Sequence, residues 1–331
     1  MSETRPRVAV CIPTYNSATY IGEALRSAID QEYKPSEIWI SDDASTDDTA
    51  AVVDGFLNGP TPVHYFRQPE NRGIAKNCNW VLSRPTAEYI VRLDSDDVLE
   101  PGYIGSLLAL LQENPRAGYA HCAVREIDAT GRTTRVRRLY RSETFEDAES
   151  ALRNASRGYR VAANLCMFRA LALQEAGYYR AMDFAEDWDL SIRLADRGWG
   201  NVYCSTPLGR YRAWNDGANV RVKRKKQELL GIESVFQDSL MTAYERRRWR
   251  TAPLRRTMNK IALDHCECLG WNCFTAEAKR ELQAILLRLG RSRSVQWRCW
   301  MVRHKFTPVF RMQRSLMLLA RDRVKALLSA M

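Results

Sequence analysis

Along the first hundred residues, short apolar runs alternate with stretches whose apolar positions recur at helical spacing. Val8 to Ile12 is one such run and reads as a buried strand. Ile21, Leu25, Ala28 and Ile29 then form a helical stripe, and Glu37 to Ser41 supplies a second strand. Ser45-Thr46-Asp47-Asp48 puts capping and acidic first-turn residues at the start of a helix reaching about Leu57. Val63 to Phe66 follows as a strand, Ile74 to Leu82 as a helix, and Glu88 to Leu93 as a fourth strand. Strands alternating with helices in this way predict an α/β sheet flanked by helices, whose ligands bind beyond the carboxyl ends of the strands.

Three polar segments occupy those strand ends: Pro13-Thr14-Tyr15-Asn16, Asp42-Asp43, and Asp94-Ser95-Asp96-Asp97. Carboxylates two residues apart at a strand end suit a hard divalent cation, although acidic turns also serve as solvated caps. From Gly118 to Arg210 the alternation loosens, with a helix expected from Trp188 to Arg197. Beyond Asn219 strand signals vanish. Amphipathic helices are expected at about 220–248, 253–269, 275–290 and 309–329.

Charge sharpens this division. The net charge of +11 is uneven: residues 220–331 hold about 25 Lys and Arg against about 9 Asp and Glu, near +16, leaving about −5 for the rest. The expected organisation is therefore a catalytic domain over 1–219 and a basic, mainly α-helical region over 220–331. No run of eighteen apolar residues occurs and the amino terminus is not signal-like, so a cytoplasmic protein is expected. Nine scattered cysteines, several within apolar runs, fit reduced thiols better than a disulfide framework, and Cys266, Cys268 and Cys273 lack the spacing of a zinc site.

Five motifs in order resemble family 2 of the inverting glycosyltransferases, which have the GT-A fold, a Rossmann-like mixed sheet. They are Pro13 to Asn16, Asp42 to Thr49, Asn71-Arg72-Gly73, Leu93 to Asp97, and Glu186-Asp187-Trp188-Asp189-Leu190 with Arg193. The resemblance covers about residues 7 to 213. It implies transfer of a sugar from a nucleoside diphosphate, UDP-linked by expectation, to a hydroxyl of a glycan or lipid-linked glycan.

By that resemblance Pro13, Tyr15, Asn16, Asp43, Lys76, Asp94 and Ser95 hold the donor, with Tyr15 stacking on the base and Asp43 accepting from a base N–H. Asp96, with Asp94, would bind Mg²⁺ or Mn²⁺, and Asp187 would be the general base, with Glu186 in reserve. Two positions depart from the family pattern. Asn77-Cys78-Asn79 carries a thiol where an arginine is common, which leaves Lys76 to supply charge. Trp214 stands where a histidine often helps hold the metal or diphosphate, and its ring is a candidate to cover the sugar or the acceptor, or to pack. A nucleotide-sugar-binding scaffold without activity is the alternative to the enzyme.

Arg246 to Arg250 and Gln296 to Lys305 interleave cations with aromatic residues, a composition suited to the anionic inner face of a membrane. A bundle that packs or forms a homodimer is the competing reading. Nucleic acid is disfavoured, because no recognition motif is present.

Overall fold

The first strand, β1 (Val8–Thr14), is buried along its whole length. In this computed structural model, which describes residues 5–162, 164–214, 222 and 224–304, the strand lies near the middle of a ten-stranded sheet. Its side chains alternate between two cores, as the two-residue period of a strand requires. Val8, Val10 and Ile12 join one core with Ile21 and Leu25, whereas Cys11 joins the other with Cys78 and Val81. Each fully buried aliphatic side chain of this kind contributes about 1.5–3 kcal/mol.

The chain continues through α1 (Ile21–Ile29), β2 (Glu37–Asp42), α2 (Thr49–Asp54), β3 (Val63–Arg67), α3 (Ile74–Leu82) and β4 (Tyr89–Arg92). The helix expected to reach Leu57 ends at Asp54. Strands β3, β2, β1 and β4 lie side by side and parallel. The chain winds outward from β1 to β3 and then returns to the other side of β1. A crevice for ligands opens at such a switch point, beyond the ends of β1 and β4.

The other half holds β5 (Val98–Leu99), α4 (Tyr103–Glu113), β6 (Ala117–Ile127), β7 (Thr133–Arg137), β8 (Phe145–Glu146), α5 (Ala148–Ala155), β9 (Cys166–Arg169), α6 (Ala170–Ala176), α7 (Glu186–Asp196) and β10 (Gly200–Arg212). The sheet runs β3-β2-β1-β4-β9-β6-β10-β5, with β7 on β6 and β8 on β10. β9 is antiparallel to both β4 and β6, which makes the sheet mixed. The loosened pattern after Gly118 thus conceals two long strands. β6 reads Ala-Gly-Tyr-Ala-His-Cys and carries few β-branched residues, so pairing on both sides, not propensity, decides its conformation.

The chain divides into two compact units, Met1–Gly217 and Ala218–Met331. The described part of the second contains α8 (Lys225–Ser234), a π-helical segment Val235–Met241, α9 (Thr242–Arg246), α10 (Ala252–His265), a 3₁₀ turn Cys266–Gly270, α11 (Ala276–Leu289) and α12 (Arg293–Arg303). The helix expected over 220–248 is broken by the π segment, and α12 was not expected as a helix. The expected helix 309–329, Asn219 and Lys305 lie outside the described residues. Among the described residues no helix is long and apolar enough to cross a membrane.

Gly200 opens β10 where β8 crosses it. A Cβ there would press on the Glu146 carbonyl and fall 2.8 Å from Phe145 Cε2. Gly200→Ala should therefore destabilise the first unit by about 1–3 kcal/mol. In urea this appears as a lower midpoint with an unchanged slope.

Candidate active site

The ends of β1, β2 and β4 are tied together by short polar side chains. Pro13 and Thr14 are buried in the strand, and Tyr15 emerges from it with 49% of its surface exposed. Asn16 adopts a left-handed backbone (φ 48°), which asparagine tolerates better than most residues. Its N–H donates to Ser45 Oγ at 2.8 Å, and its Oδ1 accepts from the Thr46 N–H at 2.8 Å. The Ser17 N–H donates to Thr49 Oγ1 at 2.9 Å, while Ser17 Oγ meets Ser95 Oγ at 2.8 Å. The loop after β1 is thereby bonded to the loops on both sides of it.

Asp42 and Asp43 divide the work of shaping the second loop. Buried Asp42 accepts from the Ser45 N–H and hydroxyl and from the Tyr65 hydroxyl at 2.6 Å. Asp43 accepts from the backbone N–H groups of Arg72 and Gly73 at 2.8 and 2.9 Å. Its carboxylate keeps lone pairs for a further donor. Lys76 is exposed on α3. No hydrogen bond or ion pair joins the side chains of Tyr15 or Lys76 to the acidic cluster among the described residues.

The centre of that cluster is Arg92, the last residue of β4 and 1% exposed. Its Nε donates to Asp94 Oδ1 at 2.9 Å, and its Nη1 reaches Asp187 Oδ1 at 2.5 Å and the Tyr179 hydroxyl at 2.9 Å. Burial works against the Arg92 charge, but Asp187 and Asp94 more than offset it and hold the guanidinium protonated. One cation thus joins two carboxylates that the chain places far apart, Asp94 in the turn after β4 and Asp187 in the first turn of α7.

α7 is itself anchored. Buried Asp189 pairs with Arg193 at 2.7 Å and with Arg180 at 3.2 Å, and Arg193 also donates to the carbonyls of Ala176 and Tyr178. Asn79 receives the Tyr179 N–H at 2.9 Å and donates to the Tyr179 carbonyl at 2.7 Å. Burial pushes the Asp187 carboxyl above its ordinary range, Arg92 pulls it back, and Asp94 adds to the rise. Glu186 is raised for the same first reason and by Asp187 beside it.

Asp96 is raised by burial and by Asp94, and its Oδ2 accepts from the Trp214 indole N–H at 2.6 Å. Trp214 also stands edge-on to Tyr20 at 5.2 Å. Asp97 is pushed up further by burial, Asp94 and Asp96; its Oδ1 accepts from the Arg212 N–H, and its Oδ2 is buried without a partner. Among the described residues no three His, Cys, Asp or Glu side chains converge as a metal cage. Mg²⁺ needs no such cage, since it is held by one or two carboxylates together with substrate phosphates and water. Asp96, with Oδ1 unpartnered among the described residues, fits that kind of site better than Asp94, both of whose oxygens accept from Arg92.

Arg92, Tyr179 and Arg212 were absent from the sequence-based candidates. Arg92 did leave a signal, because a charge at the end of the apolar strand Tyr89-Ile90-Val91 has to be paired if it is buried. Cys78 is buried and neutral, its thiol pushed up to about 12 by burial, with Arg92 pulling the other way.

Comparison with known proteins agrees with this architecture. The family model described as glycosyl transferase family 2 matches residues 9–174. A β-1,3-glucosyltransferase of Campylobacter jejuni acting on GalNAc(5)-diNAcBac-PP-undecaprenol is 34% identical over 117 residues, 35% of this chain and 37% of that protein. The chain thus spans little more than a third of that relative, and 27% of a chondroitin synthase from Escherichia coli. Staphylococcus aureus TarS 1-349 in complex with UDP-GlcNAc superposes with a TM-score of 0.59 at 18% identity, covering 91% of this chain and 92% of that one. A Pyrobaculum calidifontis mannosyltransferase, in complex with GDP-Man and Mn²⁺, gives 0.53 at 20% identity over 91% and 85%. These likenesses show the GT-A type of fold, and with half of its length matched by the family model, this chain belongs to glycosyl transferase family 2.

Proposed function

We propose that the chain transfers a sugar from a nucleoside-diphosphate donor to an acceptor hydroxyl with inversion at the anomeric carbon. The observation that carries this reading is the Arg92 bridge, which couples a carboxylate at the switch-point crevice to one at the start of a helix. In the proposed reaction Asp187 takes the acceptor's proton as the acceptor oxygen attacks the anomeric carbon, and the bond to the diphosphate breaks on the opposite face. A base raised by burial is better matched to a hydroxyl than an ordinary carboxylate, and Arg92 keeps it ionised and aimed.

Tyr15, exposed at the end of β1, offers a face for the nucleobase, with Asp43 close by in the chain's fold for a base N–H. Asp96, with Asp94 beside it, would hold Mg²⁺ or Mn²⁺, which supplies positive charge to the departing diphosphate when bound. The UDP-GlcNAc and GDP-Man complexes of the two structural neighbours support a nucleotide-sugar donor, and the first relative's undecaprenol-linked substrate supports a lipid-linked glycan acceptor. Exposed Trp297 and Trp300 on α12, among arginines, would suit docking at an anionic membrane surface. Donor binding without turnover remains a second reading, favoured by the Trp214 indole on Asp96.

A screen of UDP-, GDP- and dTDP-sugars with Mg²⁺ or Mn²⁺ tests the reading by thermal shift and donor hydrolysis. One donor should stabilise the protein in a metal-dependent way, by about 2.7 kcal/mol at a hundred times its Kd. Asp96→Ala should lose that effect, while Asp187→Asn should keep binding and lose about 10²–10⁴ in turnover. A shift with no turnover in the wild-type protein favours the non-catalytic reading, and no shift with any donor rejects both.

The pH profile provides a second test. Activity should fall as pH drops through the Asp187 pKa, at a pH above the ordinary carboxylate range because burial raises it. Arg92 acts in the opposite direction, so weakening its grip should move this acid limb to higher pH. Arg92→Lys keeps the charge but cannot bond both carboxylates as a planar fork does. It should lower kcat with the limb shifted upward; an unchanged limb would separate Arg92 from the base.

A further inference from the structure

The second unit contains a cavity of about 130 Å³ that the sugar-transfer reading does not use. Three arginines line it: Arg255 from α10, Arg288 near the end of α11, and Arg291 in the turn beyond. Glu233 pairs with Arg288 through two bonds of 2.7 and 2.8 Å. Arg255 and Arg291 have no ion-pair partner among the described residues. Arg255 and Arg291, both exposed, thus line a concave space with no carboxylate paired to either among the described residues.

The space is built rather than incidental. Asn259 donates to the Arg255 carbonyl at 2.8 Å and accepts from the Ser292 N–H at 3.1 Å, which fixes the turn carrying Arg291 against α10. Gly290 permits this approach, since a Cβ there would lie 2.6 Å from Ala262 Cβ. The π segment also contributes, since Gln237 and Met241 both line the cavity. Such helical irregularities are rare and frequently occur at functional sites. Buried Met258 and Leu289 supply an apolar floor.

We infer that this cavity binds a phosphate group. Guanidinium donors match phosphate oxygens in charge and geometry, and the volume is roughly ten times what admits a single water. Gln237 adds a neutral amide donor, and the apolar floor accepts the carbon chain of a phosphate ester. The ester comes either from a soluble molecule or from a phospholipid headgroup. The site belongs to the second unit alone and does not depend on the transferase reading.

The test is binding of inorganic phosphate to the full chain by calorimetry. Arg255→Gln with Arg291→Gln should weaken it at least about tenfold, as expected for losing charged hydrogen bonds. A charge-matched pair on the same unit, Arg256→Gln with Arg280→Gln, should change it less than about twofold. Gln237→Glu, which retains every arginine and adds a like charge, should weaken binding as the first pair does. Both arginine pairs are exposed, and equal melting temperatures establish that each variant is folded. Pelleting with phosphatidylglycerol vesicles identifies the source: selective loss in the Arg255/Arg291 variant indicates a lipid headgroup, and unchanged pelleting indicates a soluble ester. Equal weakening by the two arginine pairs, or no phosphate binding by the wild-type chain, overturns the inference.

Discussion

A guanidinium at the end of a buried strand is costly to place, and much of the first unit's chemistry follows from how Arg92 is accommodated. Removing a charge from water costs several kcal/mol even after relaxation, and only close partners offset it. Arg92 has three: Asp94, Asp187 and the Tyr179 hydroxyl. The dependence runs both ways, because Asp94 raises the proton affinity of Asp187 and Arg92 between them lowers it again. Geometry and protonation are set by the same contact. The partners are also fixed from behind, Tyr179 by Asn79 on α3 and α7 by Asp189 and Arg193. Asn77, two residues earlier on α3, donates to the Ser41 carbonyl on β2, so α3 links β2 to the segment that carries Tyr179.

Backbone strain collects at the same edge of the sheet. Asn16, Ala44 and Ala185 all have left-handed φ angles, 48°, 62° and 66°, and they follow β1, follow β2 and precede α7. An alanine there costs of order 1–3 kcal/mol and persists only where its surroundings over-determine it. At Asn16 the compensation is visible in the bonds to Ser45 and Thr46. The proposed donor pocket is thus shaped by loops bonded to one another before any ligand arrives, which lowers the ordering cost of binding.

Much of this could be read from the chain alone. The four parallel strands and their helices were legible because each alternates cleanly with a helical stripe, and the family resemblance rested on segments after β1, β2, β3 and β4 and at the start of α7. β6 and β10 were not legible, since long-range pairing imposes strand conformation on a composition that does not ask for it. In the second unit the π segment hid within continuous helical periodicity, because one extra residue in a turn hardly disturbs an apolar stripe. Arg92 was missed for a different reason. Its carboxylate partners lie two and 95 residues away, and no spacing rule connects β4 to α7. Trp214 was noted as standing in place of a histidine, but its hydrogen bond to Asp96 depends on the close approach of β10 to the turn after β4.

That turn also constrains what the proposed donor requires. Asp94 raises the proton affinity of Asp96 and Asp97, Asp96 adds to that of Asp97, and Glu186 and Asp187 add negative charge nearby. Arg92 is committed to Asp94 and Asp187, while Arg212 is held by Glu23 and by backbone carbonyls. A diphosphate brought alone to this surface would meet repulsion in a region of low dielectric. Exposed Lys76 sits on a separate helix and offers a single charge. Under the proposed function, a divalent cation held between them would let the carboxylates and the donor share the crevice. The aspartate turn that looks least hospitable to a phosphate is then the element that selects a metal-bound one.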